Sequence, residues 1–130
     1  MSGFTSDLRM TALRSSDGVP LQSAMGDQLY ILDAPLYYQS DVVDYEFMVP
    51  EGFVTDLSSI PKLPFIYLLL NGISDIAGVL HDFLYSTGLV VRSTADAILR
   101  EACLSIGVPR WKAELIYAGV RVGGGSRYNG

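Results

Sequence analysis

The sequence predicts an α+β fold, with a small antiparallel sheet from residues 5–55 packed under three or four helices from residues 61–123. The first half contains short segments rich in aromatic and β-branched residues, separated by turn-forming pairs such as Asp17 and Gly18. The second half contains apolar residues at helical spacing, in segments that end at glycines such as Gly88. A run of strands followed by a run of helices is typical of an α+β domain.

Three segments of the first half carry strand signals. LRMTAL is a candidate edge strand and is followed by the turn residues SSDGVP. QLYILDAPLYYQ is interrupted at Ala34 and Pro35, which predicts two short strands or one kinked strand. DYEFMVPEGF alternates charged and apolar residues before Pro50 and turns at Glu51 and Gly52. Strands of this kind, one face apolar and the other polar, predict an antiparallel sheet.

Four segments of the second half carry helix signals. KLPFIYLLLNG is a short apolar helix that ends at its Asn-Gly pair. SDIAGVLHDFLYSTG begins with Ser74 as a cap and stops at Gly88, and STADAILREACLSIG runs from Ser93 to Gly107. PRWKAELIYAGVRVGGG has Pro109 in a first-turn position and ends in a run of glycines. These four segments are the predicted helical layer.

Length and composition predict one domain spanning residues 1–130, with residues 123–130 (GGGSRYNG) forming a flexible tail. The longest apolar run, PFIYLLL, is too short to cross a bilayer, so no transmembrane segment is expected. The single cysteine, Cys103, excludes an internal disulfide and a cysteine-based zinc cluster.

The formal net charge is −5 and is unevenly distributed. Residues 1–60 carry nine acidic and two basic side chains, whereas residues 61–130 carry five acidic and seven basic ones. An acidic chain argues against nucleic-acid binding, which needs clustered lysine and arginine. The asymmetry also predicts two layers with different surface chemistry.

The segment LHDFLY holds the only histidine of the chain, His81, together with Asp82 and Tyr85. His81 and Tyr85 are four residues apart and therefore share one helix face. The turn around Gly88 allows the next helix to run antiparallel, which can bring Asp96 to the imidazole ring. A neutral imidazole held by a carboxylate is a good general base, so this cluster is a candidate catalytic site.

Two further features bear on a metal ion. Asp82 and Asp56 are carboxylates near the candidate base, and the segment DLSSIP can offer backbone carbonyls, which together are ligands that calcium accepts. A structural interpretation stays open for each group. His81 can be a packing histidine, Asp96 a first-turn carboxylate, Asp56 a turn cap, and all three can form a hydrogen-bonded network that locks the sheet to the helices.

Residues 49–124, which contain VPEGFVTDLSSIP, LHDFLYSTG, RSTADAILREA and GVPRWKAELIYAGVRVGG, closely resemble a family of uncharacterised tailed-bacteriophage proteins. The resemblance implies a phage or prophage origin but no activity. It leads us to expect a virion or tail-associated component, made in the host cytoplasm, that assembles with other virion proteins.

Residues 56–103 also resemble phospholipase A2 enzymes, which carry a histidine–aspartate pair on a helix, a tyrosine four residues after the histidine, and an aspartate on the partner helix. The segment DLSSIP is similar in position to the calcium loop of those enzymes but lacks its glycine-rich character, and the cysteines that staple them are absent. The roles that this resemblance implies are His81 as base, Asp96 and Tyr85 as the groups that orient it, and Asp82, Asp56 and the Leu57 carbonyl as calcium ligands.

Two functions follow, and the family resemblance ranks the virion-associated role first and the hydrolase second. In the first, the protein is a virion component whose task is to bind other virion subunits. In the second, it is a calcium-dependent hydrolase that acts on lipid esters of the host envelope with His81 as general base. The two are compatible, because a virion component can itself carry a hydrolase site.

Overall fold

Strands fill the first half of the chain and helices the second in the computed structural model, which describes residues 1–24, 26–57 and 75–129. This order confirms the α+β fold that the sequence predicts. The strands are β1 (Gly3–Phe4), β2 (Met10–Ala12), β3 (Tyr30–Leu32), β4 (Leu36–Ser40), β5 (Tyr45–Val49) and β6 (Val54–Thr55). The helices are α1 (Asp75–Thr87), α2 (Arg92–Ser105) and α3 (Arg110–Gly123), followed by a 3-10 turn at Gly125–Arg127.

The strands form two small sheets rather than the single sheet expected. One has the order β1-β4-β5 and the other the order β2-β3-β6, and every pairing is antiparallel. The break at Ala34 and Pro35 divides the predicted long segment into β3 and β4, which join different sheets. Proline lacks the backbone donor that a continuous ladder needs, and the chain changes sheet at this point.

The sheet β1-β4-β5 presents one apolar face to the helices. Leu36 and Tyr38 of β4 face the same side as Phe47 and Val49 of β5, and all four are buried. Period-two alternation places every second side chain of a strand on one face, which explains this pattern. The hydroxyl of Tyr38 also donates to the Glu101 carboxylate of α2 at 2.8 Å, so the sheet is joined to the helical layer by a polar bond as well.

The three helices of the described residues pack as consecutive antiparallel neighbours. The predicted helix KLPFIYLLLNG and the predicted cap Ser74 lie outside the described residues. Helix α2 begins at Arg92, one residue before the predicted Ser93, and α3 begins directly after Pro109. The apolar side chains that these helices bury at spacings of three and four are Ala77, Leu80 and Leu84 of α1, Ala95, Ile98, Leu99 and Ala102 of α2, and Ala113, Ile116 and Val120 of α3.

The predicted flexible tail is packed against α1 through residue 129. The backbone N–H of Asn129 donates to the carbonyl of Tyr85 at 2.8 Å. The hydroxyl of Tyr128 donates to the carbonyl of Val90 at 2.7 Å, and its ring meets that of Tyr85 edge to face at 5.3 Å between centroids. The glycine run therefore serves close approach, because it lets the chain cross the end of α1 without side chains in the way.

Gly124 provides a test of this packing. A Cβ at this position would lie 2.6 Å from the backbone carbonyl oxygen of Val120 and 2.9 Å from the hydroxyl of Tyr85. A Cβ at Gly125 would meet only the guanidinium of Arg92, at an ordinary 3.6 Å. We predict that Gly124→Ala lowers the free energy of unfolding by about 1–3 kcal/mol, as overpacking does, while Gly125→Ala changes it by less than about 0.5 kcal/mol. Urea denaturation checks both, and equal effects would show that the tail is unpacked.

Candidate functional site

His81 and Asp96 meet in the interior, between α1 and α2. Nε2 of His81 lies 2.9 Å from Oδ1 of Asp96, and both side chains are 0% exposed. The distance falls within the range of about 2.6–3.2 Å that a working base and its orienting group require. The contact that the sequence predicts is therefore present, and the turn around Gly88 makes it by returning the chain antiparallel to α1.

The Asp96 carboxylate accepts two further hydrogen bonds. The hydroxyl of Tyr85 donates to Oδ1 at 2.5 Å, and Nη1 of Arg121 donates to Oδ2 at 2.9 Å. Burial pushes the pKa of Asp96 upward, but hydrogen bonds from His81, Tyr85 and Arg121 outweigh it and lower the pKa below its usual 3.8. A carboxylate with several donors stays ionised even in the interior.

Arg121 is a member of this network that the sequence alone does not predict. It lies 25 residues beyond Asp96, in the last turn of α3, where a basic side chain is ordinarily explained by the helix dipole. Its contact with Asp96 depends on how α3 packs on α2, which no local pattern encodes. Arg92 fixes that packing: its Nη2 donates to the carbonyls of Val120 and Arg121 at 2.8 and 2.7 Å, which ties the start of α2 to the end of α3.

The imidazole of His81 is neutral near pH 7. Burial lowers its pKa below the ordinary 6.5, and the positive charge of Arg92 acts in the same direction, while Asp96 opposes both. An ionised carboxylate can only accept, so Nε2 carries the hydrogen that bonds to Asp96 and the lone pair of the ring resides on Nδ1. This is the tautomer that a general base needs.

A second cluster joins the sheet to α1, one residue beyond His81. The hydroxyl of Thr55, at the end of β6, donates to Asp82 Oδ2 and accepts the backbone N–H of Leu57 at 3.0 Å. The pKa of Asp82 is raised to about 6, because burial and the nearby Asp56 carboxylate raise it more than the Thr55 hydroxyl and the charge of Arg127 lower it. The structure therefore brings the predicted Asp82 and Asp56 close enough to interact through their charges.

Leu57 has a left-handed backbone, with φ of +59°. A branched side chain rarely adopts this region, because its Cβ approaches the following carbonyl at a cost of about 1–2 kcal/mol. The hydrogen bond that the Leu57 N–H donates to the Thr55 hydroxyl oxygen helps to hold the strained residue in place. Backbone strain of this kind concentrates at functional sites, so the turn that follows β6 is a candidate for part of the site.

The donor chemistry of this turn fits a hard cation only in part. Carboxylate and carbonyl oxygens are the ligands that calcium takes, and the mutual repulsion of Asp82 and Asp56 is what a cation relieves. Calcium needs about six to eight oxygens. Among the described residues no group of three or more His, Cys, Asp or Glu side chains is placed to hold a metal, so these two carboxylates contribute at most part of a ligand set.

The fold and the buried network define an α+β protein with a histidine–aspartate pair between two antiparallel helices. The family described as "Protein of unknown function (DUF1353)" matches residues 30–120, and the chain belongs to this family. The matched region includes His81, Asp82 and Asp96 but ends one residue before Arg121. Neither the curated proteins nor the solved structures contain a match to this chain.

The raised pKa of Asp82 predicts a pH-dependent effect of Asp82→Asn. Because the folded pKa of about 6 lies above the ordinary 3.8, the folded state takes up the Asp82 proton first, and the contribution of Asp82 to wild-type stability falls as the pH rises from 4 to 7. Asparagine can still accept from Thr55 and carries no charge. In a chelating buffer, we expect Asp82→Asn to be more stable than wild type by about 1–3 kcal/mol at pH 8 and equal to it near pH 4.

Urea denaturation across this pH range measures the effect. Asp7→Asn is the matched control, because Asp7 is exposed and its replacement removes the same charge. A stability difference between Asp82→Asn and wild type that does not vary with pH would contradict the assigned cause.

Proposed function

We propose that the protein is a calcium-dependent hydrolase of phospholipase A2 type, carried by a phage virion, with His81 as its general base. The observation that supports this most is the buried contact of 2.9 Å between Nε2 of His81 and Oδ1 of Asp96. Burial lowers the pKa of His81 and the surrounding donors lower that of Asp96, which together favour a neutral ring that donates Nε2–H to an ionised carboxylate. A histidine that only packs needs some hydrogen-bond partner. A general base needs a neutral ring with its lone pair on the nitrogen that faces the substrate and an ionised carboxylate on the other nitrogen.

In the proposed reaction Nδ1 of His81 takes a proton from water as the water oxygen attacks an ester carbonyl, and later gives the proton to the departing alkoxide. Asp96 stabilises the imidazolium formed between the two steps, and Tyr85 and Arg121 hold the carboxylate in place. Calcium, when bound with help from Asp82 and Asp56, would polarise the ester carbonyl. Because His81 is fully buried, groups packed against it must move before a substrate reaches the ring.

Substrate and location rest on the resemblances. The phospholipase A2 pattern of His81, Asp82, Tyr85 and Asp96 favours lipid esters, and the tailed-phage likeness of residues 49–124 favours action on the host envelope by a virion component. Of the described residues, no helix has the length and apolarity to span a membrane.

A structural role is the second candidate, and one observation favours it. His81 and Asp96 are both fully buried, and Asp96 joins α1, α2 and α3 through hydrogen bonds from His81, Tyr85 and Arg121. Such a network can lock three helices without any chemistry. In this case the protein is a virion component whose histidine is architectural and whose partners are other virion proteins.

Ester hydrolysis on phospholipid vesicles separates the two candidates. We expect calcium-dependent release of fatty acid by the wild type, and a loss of kcat of about 10²–10⁴ in His81→Gln, the range for loss of a general base. Asp96→Asn should lose activity similarly, because the amide favours the wrong tautomer. Wild-type protein without calcium-dependent hydrolysis of any phospholipid headgroup class would contradict the enzyme assignment.

A matched pair of tyrosine variants controls for folding. Tyr85→Phe removes a buried hydroxyl from Asp96, and Tyr38→Phe removes one from Glu101 outside the site. The proposal expects reduced activity in Tyr85→Phe and wild-type activity in Tyr38→Phe. In phage, His81→Gln particles should assemble with normal composition but fail to infect. Failure of assembly with a folded variant would favour the architectural role.

A further inference from the structure

Helix α3 carries an exposed apolar face that nothing in the described structure covers. Trp111, Leu115, Ala118 and Val122 follow one another at spacings of four, three and four, so they form one stripe, called here the α3 stripe. Trp111 is 62% exposed, Leu115 42% and Val122 85%. A helix that already buries one apolar face on α2 has no need of a second one for its own fold.

An apolar groove lies between the tip of the β4–β5 hairpin and the α1–α2 loop. Its volume is about 270 Å³. This is below the roughly 300–1,000 Å³ of small-molecule sites and suits a single large side chain. Tyr45 and Leu89 on its walls are 58% and 61% exposed. The residues that line this groove, called here the hairpin groove, are Val43, Tyr45, Phe47, Leu89 and Val90.

The two surfaces carry opposite charge. Asp44 lies between the groove residues Val43 and Tyr45, and Arg110 and Lys112 flank Trp111 at the start of the stripe. Complementary charge steers two surfaces together and fixes their register. If the α3 helices of two copies paired with each other, their basic residues would be brought together. The charges therefore favour docking of the α3 stripe of one copy in the hairpin groove of another.

The hairpin tip is held rigidly. The Glu101 carboxylate of α2 accepts the backbone N–H groups of Asp41 and Val42 at 2.9 and 3.1 Å, in addition to the Tyr38 hydroxyl. The groove is therefore formed before any partner arrives, which reduces the entropy lost on binding.

One copy cannot fill its own groove. Leu89 and Val90 of the groove come just before the first turn of α2. Helix α3 runs antiparallel to α2, with Glu114 paired to Arg100 at 3.3 Å. Trp111, at the start of α3, therefore lies beside the last turn of α2. The length of α2, 14 residues or about 21 Å, therefore separates the anchor Trp111 from the groove of its own copy.

We propose that this protein associates head to tail with further copies of itself, the α3 stripe of one copy docking in the hairpin groove of the next with Trp111 as its anchor. Trp and Arg are the residues that most often dominate binding energy at interfaces, and both are at the start of the stripe. Contact between two different surfaces generates a ring if the rotation closes and a filament if it does not. The inference is independent of the hydrolase site.

Complementation between two variants tests the proposal. Leu89→Arg places a positive charge in the groove, and Trp111→Glu removes the anchor and places a negative charge on the stripe. Val19→Arg is the control, since Val19 is 56% exposed in a loop outside both surfaces. Sedimentation velocity measures the association of each protein. Concentrations of about 1–500 μM span the dissociation constants expected of an interface with one aromatic anchor.

We expect wild type and Val19→Arg to associate with increasing concentration, and less so at high salt because the charges are screened. Each interface variant alone should bind at least about 30-fold more weakly, the loss of one hot-spot residue. Mixed one to one, the two variants should form a dimer, because the mixture contains one intact stripe and one intact groove. Circular dichroism verifies folding, and Val43→Arg and Leu115→Glu replace a variant that fails to fold.

Three results would overturn the proposal. The first is a wild type that stays monomeric at every concentration. The second is a pair of variants that lose association but do not complement each other, which indicates pairing of α3 with α3. The third is a monomeric wild type that floats with phospholipid vesicles through Trp111, which assigns the stripe to a membrane.

Discussion

The Asp96 carboxylate is the point at which the three helices meet. It takes hydrogen bonds from His81 and Tyr85 of α1 and from Arg121 of α3, while its own backbone belongs to α2. A charge buried with such partners is stable only while they remain, and loss of one partner of a buried pair costs about 3–5 kcal/mol. The helix register, the His81 tautomer and the position of Arg121 therefore depend on one another through this group.

The same burial acts on the two clusters of α1 in a consistent way. It lowers the pKa of His81 and raises that of Asp82, so each group is pushed toward its neutral form. Asp96 stays ionised because three hydrogen-bond donors surround its carboxylate and lower its pKa. Asp82 has Thr55 as a donor, but the negative charge of Asp56 repels it and raises its pKa. One residue step along α1 thus separates a firmly ionised network from a carboxylate that titrates near pH 6.

Much of this arrangement could be predicted from local sequence. The spacing of His81 and Tyr85 on one helix face and the turn around Gly88 were enough to place Asp96 beside the ring, because antiparallel neighbours need only a short turn. The contact of Arg121 could not be predicted, since it depends on the packing of α3. The packed tail was missed for a related reason: a glycine run signals flexibility in isolation, but Gly124 is needed for close approach to Tyr85. The division of strands between two sheets follows long-range pairings that strand propensity does not specify.

The central claim is that His81 is a neutral base whose Nε2–H is bound to an ionised Asp96. Because the chain has one histidine, ¹⁵N NMR of the imidazole as a function of pH observes this group alone. The account predicts a neutral ring at pH 7, protonated at Nε2 and not at Nδ1, that resists further protonation as the pH falls below 6.5. A ring that is protonated at Nδ1, or already an imidazolium at pH 7, would contradict it.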